Sequence, residues 1–246
     1  MKDIIKLDRN IIQNKSFHHL TEYSYNLIVA FHRLGFDENG ECVFSASELA
    51  KAMNINVNNL SEKVLEKEID RLMQKVEFEQ KYWNGSVQNK DLIKIVLVIT
   101  SRRFKEESNR YNKWRVQFHP DFLRFLENQW YNKIRAANYF QLGNGRKKNV
   151  RKLYLFLRSN SGRSQIGYPE FFKLFDWKYE PKYFKVYKNK LKKIFETLQQ
   201  EDSGHSQAAI KNVHFHADNV FVEHNENYLA DTPKRRDSAQ IELQVI

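Results

Sequence analysis

At 246 residues, with 41% hydrophobic and 14% aromatic content, the chain can bury a core as one large domain or two ordinary ones; no run approaches eighteen apolar residues, which excludes a membrane span. The single cysteine, Cys42, excludes an internal disulfide framework and fits a reducing compartment. The formal net charge of +11 is concentrated: residues 140–200 hold fifteen Lys and Arg against four Asp and Glu, a difference of eleven that accounts for the whole excess. A localised field of that kind steers toward phosphate-rich partners, nucleic acid first and an acidic membrane surface second.

The first residues, MKDIIKLDRNII, scatter charge and contain no apolar signal core, so a cytoplasmic protein is expected. Residues 20–34 place Tyr23, Leu27, Ala30, Phe31 and Leu34 at helical spacing, and Gly35 ends the run. Ser45 and Glu48 form a capping-box pattern that opens a short helix through Met53. A third helix spans 60–75, with Leu65, Ile69, Leu72 and Val76 on one face. Asn84-Gly85 is a turn signal, 92–99 reads as a strand, and WRVQF (114–118) is expected to pair with it across the charged loop SRRFKEESNRYNK. Helix, short helix, helix and hairpin is the element order of a winged helix.

That order then repeats. Residues 120–137 are expected to form a connecting helix, 147–157 a helix with Val150, Leu153, Tyr154 and Leu157 inward, and 168–175 a short helix. A long helix over 181–198 follows, then a hairpin of 209–216 and 219–223 around Ala217-Asp218. The expectation is an α+β protein of two tandem winged-helix domains. Its divisions are an N-terminal domain over 1–119 for dimerisation and a secondary DNA contact, a connecting helix over 120–138, a C-terminal DNA-binding domain over 139–230, and a flexible tail over 231–246.

The stretch EPKYFKVYKNKLKKIFE packs six lysines between aromatics. On a helical wheel Phe184, Tyr187, Leu191, Ile194 and Leu198 form one stripe. Lys182, Lys185, Asn189, Lys192 and Lys193 lie opposite, with Lys188 and Lys190 at the flanks. A helix so loaded can lie in a major groove while its lysines reach phosphates on both walls. Arg146, Lys147, Lys148, Arg151 and Lys152 add charge at the start of another helix. By contrast, helix 60–75 balances Glu62, Glu66, Glu68 and Asp70 against Lys63, Lys67, Arg71 and Lys75, so the first half is left with a peripheral contact through Arg102 and Arg103.

The segment FHPDFLRFLENQWYNKIRAANYFQLGNGRKKNVRKLYLFLRSN (118–160) resembles the inter-domain helix and the arginine-leucine-tyrosine helix of the iteron-binding plasmid replication initiators, the Rep proteins built from two winged-helix domains. The tripeptide here is Lys152-Leu153-Tyr154, which keeps the charge. IGYPEFFKLFDWKYEPKYFKVYKNKLKKIFETLQ is similar to the family's short helix, its Tyr-Phe approach at Tyr183-Phe184 and its recognition helix, and SELAKAMNINVNNL to the helix-turn-helix core of its first domain. The resemblance covers about 20–223 and implies a non-enzymatic protein without cofactor or metal. It would bind repeated double-stranded origin sites, exist in a monomer-dimer equilibrium, repress its own gene, and help open DNA for a host helicase. It assigns recognition to Lys182, Tyr183, Lys185, Lys188, Asn189, Lys192 and Lys193, with Asn189 reading an adenine edge.

Two other readings compete. Val213-His214-Phe215-His216 has the two histidines of a metal-dependent nicking initiator, but Tyr228 follows too closely, in a polar stretch without helical period, to be the expected nucleophile. Alternating residues of a hairpin account for the pattern without chemistry. A winged-helix transcriptional regulator would share the fold and bind operators instead. Gly143 to Lys148 lacks phosphate-loop spacing, and Cys42 lacks partners for zinc.

Overall fold

Strand β1 (Ile4–Asp8) and helix α1 (Glu22–Leu34) open the computed structural model, which describes residues 1, 4–8, 20–84, 87–96, 102–105, 112–120, 131–143, 149–158, 162–202 and 210–224. Thr21 caps α1 in a capping box with Ser24, and Gly35, at φ 92, closes it by donating its N–H to the Phe31 carbonyl at 2.9 Å. Strand β2 (Glu41–Ser45) leads directly into α2 (Ala46–Ala52). Here the expected box is present: Glu48 N–H donates to Ser45 Oγ at 3.2 Å and Ser45 N–H to Glu48 Oε2 at 2.7 Å. Helix α3 (Glu62–Leu72) buries Leu65, Ile69 and Leu72 as its spacing predicts.

Strands β3 (Lys75–Asn84) and β4 (Val87–Val96) pair antiparallel. This corrects the expected pairing of 92–99 with WRVQF. The latter lies in β6 (Asn112–Gln117), which pairs instead with β2 and with β5 (Arg102–Lys105), a strand inside the supposed charged loop. The driving pattern is burial: Cys42 and Phe44 of β2 face Val116 and Trp114 of β6, and all four are buried.

The expected connecting helix is corrected in part. Residues 121–130 lie outside the described residues, but β7 (Tyr131–Arg135) is a strand paired with β1, with Ile134 opposite Ile5, before α4 (Ala136–Gln141) begins. Next come α5 (Val150–Arg158), β8 (Arg163–Gly167), α6 (Tyr168–Leu174), a 3-10 turn over Pro181–Tyr183, α7 (Phe184–Asp202), β9 (Ile210–Phe215) and β10 (Asn219–His224).

The chain is thus a mixed α+β fold with two sheets of the same order. In β2-β6-β5 and in β8-β10-β9, the strand between the first two helices pairs with the last strand of the unit, which takes the middle place. In the first half β3 and β4 are inserted between the third helix and the strands that complete the sheet. Among the described residues no helix is long and apolar enough to cross a membrane.

One cluster of buried residues runs through both halves, from Leu7, Phe31 and Leu65 to Tyr139, Leu153, Phe171, Leu198 and Val222. Polar contacts cross it. Tyr139 Oη donates to Asn26 Oδ1 at 2.7 Å, and Lys152 Nζ donates to the Leu20 carbonyl at 2.7 Å. Burial pushes the Glu22 carboxyl up, opposed by the Arg151 charge and by backbone N–H groups of Lys152, Arg151 and Asn149 at the start of α5.

Candidate nucleic-acid interface

Helix α7 carries the lysine cluster. Pro181 starts the 3-10 turn that leads into it, where a missing N–H costs nothing, and Tyr183 N–H returns to the Glu180 carbonyl at 2.9 Å. Of the predicted inward stripe, Leu191, Ile194 and Leu198 are buried, while Phe184 and Tyr187 are half-buried and packed against the core. Phe195 is fully buried as well, wedged between Phe171 and Phe215 at centroid distances of 5.6 and 5.5 Å.

Of the aromatics threaded among the lysines, Phe184, Tyr187 and Phe195 pack inward, while Tyr183 stays exposed. Phe172 of α6 lies 5.9 Å from Phe184, 5.5 Å from Tyr187 and 6.0 Å from Trp177, and Trp177 stacks on Tyr187 at 5.1 Å. This floor explains the composition: rings hold the helix from beneath, and the ammonium groups of Lys182, Lys190 and Lys192 lie over ring faces.

The lysines then divide by what holds them. Lys182 Nζ is 2.9 Å from Glu180 and 4.8 Å from the Tyr183 ring. Lys190 lies 4.7 Å over Trp177 and Lys192 5.4 Å over Phe215. The side chains of Lys185, Asn189 and Lys193 are exposed and make no hydrogen bond or ion pair among the described residues. Lys188 differs again. Its Nζ donates to the carbonyls of His216 at 2.7 Å and Ala217 at 3.4 Å and lies 4.8 Å over the Tyr168 ring. Tyr168 Oη donates to the same His216 carbonyl at 2.9 Å. The turn joining β9 to β10 is therefore tied to both α6 and α7 through Tyr168 and Lys188.

Arg151 requires correction. It is only 8% exposed, its Nη2 donates to the Phe140 carbonyl at 2.9 Å, and its guanidinium lies 5.6 Å from the Phe140 ring. Lys152 and Arg158, also counted in the basic field, are 3% exposed. All nine residues of α5 are buried, so its cations do not belong to the outer surface, and Lys152 reaches across to the Leu20 carbonyl of the first half.

Arg146, Lys147 and Lys148 lie outside the described residues. Arg102 and Arg103 lie in β5, opposite Arg115 and Trp114. Glu68 of α3 is buried, accepting hydrogen bonds from Thr21 Oγ1 and Ser24 Oγ at 2.6 Å each, so it does not face solvent with the other acids of that helix. His214 and His216 are exposed at the end of β9, and Tyr228 lies outside the described residues. Among the described residues no three His, Cys, Asp or Glu are grouped to hold a metal.

The family described as Initiator Replication protein, WH1 matches residues 6–158. No curated protein matches the chain. Among solved structures it is similar to domains 2 and 3 of RctB, crystallised as selenomethionine derivatives, at 11% identity over 91% of this chain and 91% of that chain, with a TM-score of 0.40.

Proposed function

The chain belongs to the initiator replication protein family, whose model spans more than half of it, and from that premise we propose that it binds repeated double-stranded sites at an origin through α7 and promotes opening of the adjacent duplex. As a replication initiator it is a DNA-binding protein; the finer assignments are ours. The two sheets of like order are two winged-helix units in tandem, the second supplying most of the affinity.

One observation carries this reading: Lys185, Asn189 and Lys193 stand exposed along a helix whose other face is seated in the core. A helix fits the major groove, and its lysines at the edges meet phosphates while groups along its centre meet bases. Lys182, Tyr183 and Lys192 widen that surface. Lys188 sets the β9–β10 hairpin beside it, and Arg146, Lys147 and Lys148 are a second phosphate contact argued from sequence alone. Arg102 and Arg103 supply the peripheral contact of the first unit, which also carries dimerisation. The mechanism is binding and remodelling without covalent chemistry or cofactor, with a host helicase as the partner that follows.

A footprint on the DNA flanking the protein's own gene, at physiological salt with Mg²⁺, tests this. Protected blocks recurring at about one or two helical turns, with no strand cut, are expected. A single palindromic footprint would make the protein a transcriptional regulator. A nick leaving protein attached to the DNA would move the chemistry to His214 and His216.

A further inference from the structure

On the outer face of α7 one side chain is out of keeping with the rest. Val186 is 59% exposed, with Lys182 and Lys190 four residues away and Tyr183 and Asn189 three away on either side, positions that share a helix face. A β-branched residue is a poor choice for a solvated helix surface, where it lowers helix propensity and leaves apolar area in water. A lone exposed valine would mean nothing, but this one is not scattered. Among the described residues after 139, the exposed large apolar side chains are Tyr179, Tyr183 and Val186, all between 179 and 186, on the approach to α7 and its first turns. Apolar groups elsewhere along the helix, from Leu191 to Leu198, turn inward.

The major groove offers one apolar group for such a side chain, the 5-methyl of thymine. We propose that Val186 reads a thymine by contact with that methyl, next to the adenine edge within the chemistry of Asn189, so that α7 selects an A·T step. The proposal rests on α7 being the groove-facing helix. Two features suit Val186 to the task. Its χ1 is restricted, so little rotamer freedom is lost on contact. Its neighbours supply complementary chemistry: lysines hold the phosphates on either side, and an amide three residues on can donate to and accept from an adenine. The lysines alone would bind any sequence equally.

A synthetic duplex carrying one block protected in the footprint is the probe, with each thymine replaced in turn by uracil. That change deletes the methyl and leaves every hydrogen-bonding group of the base. One position is expected to cost the wild-type protein about fourfold in affinity, the worth of one methyl group removed from contact. At that position Val186→Ala is expected to be indifferent to uracil, while binding the unmodified duplex more weakly with an unchanged salt dependence, since no charge is lost. Alanine at an exposed helical site keeps the fold. If uracil costs nothing anywhere, or costs the variant as much as the wild type, Val186 is no reader, and a retained preference for the protected block over a scrambled duplex would leave the role of α7 intact. Loss of that preference in the wild type itself would overturn both.

Discussion

Lys152 carries an amine into the junction between α1 and α5, and burial lowers its pKa to about 8, the charges of Asp176 and Glu22 opposing the shift. Because the folded-state pKa lies below the unfolded one, the unfolded chain binds more protons between them, and stability rises with pH from about 8. The unfolding free energy from urea titrations should therefore climb from pH 7.5 to 9, by about 1 kcal/mol from this residue, and Lys152→Met should remove the climb. Above pH 9 the sign reverses: burial pushes the Cys42 thiol and the Tyr23 hydroxyl to about 12, and stability is lost as pH rises toward those values. On the outer surface, replacing Lys185 and Lys193 by Ala should flatten the plot of log affinity against log salt by about two counterion units. Asn189→Ala should leave that slope alone and relax discrimination at one base position by about 1–3 kcal/mol. Equal losses on specific and random DNA would count against the base-reading role.

At the level of elements, Lys188→Met separates positioning from contact. If its amine holds the turn between β9 and β10, affinity should fall with the salt slope unchanged, unlike the loss of Lys185; a slope lowered by one unit would make Lys188 a phosphate contact after all. Ser45→Ala should cost about 1 kcal/mol of stability through the start of α2, read in the thermal midpoint, with DNA affinity untouched. Elements built on local signals were legible in the sequence: the Ser45 box, the inward stripe of α7, the hairpin at Ala217-Asp218. Strands β2 and β8 were not, because each is five residues long and is defined by a partner far along the chain, Glu41 against Gln117 and Ile166 against Val220. The same distance hid β1 and β7, paired from Ile4 to Arg135. The inward turn of Arg151 and Lys152 was hidden for another reason. A helix wrapped by protein on all sides has no solvent face for periodicity to reveal, and its cations look like any other basic run.

Across the whole molecule, the shared core and the contacts of α1 with α4 and α5 predict that the two halves unfold in one transition. Tyr139→Phe should destabilise the protein by about 1–3 kcal/mol, read as a lowered midpoint, by taking a donor from the Asn26 amide in the interior, and two separated transitions in that variant would mean the junction, not each unit's own packing, sets cooperativity. The buried Cys42 has a consequence of a different kind. As the chain's one cysteine, 2% exposed and held as the neutral thiol at any physiological pH, it offers peroxides and alkylating reagents no thiolate to attack. The native thiol should resist oxidants and alkylating reagents, and a cysteine placed at an exposed site on α7 or the β9–β10 turn would be the sole reactive thiol, ready to be cross-linked to a modified base without removing anything first.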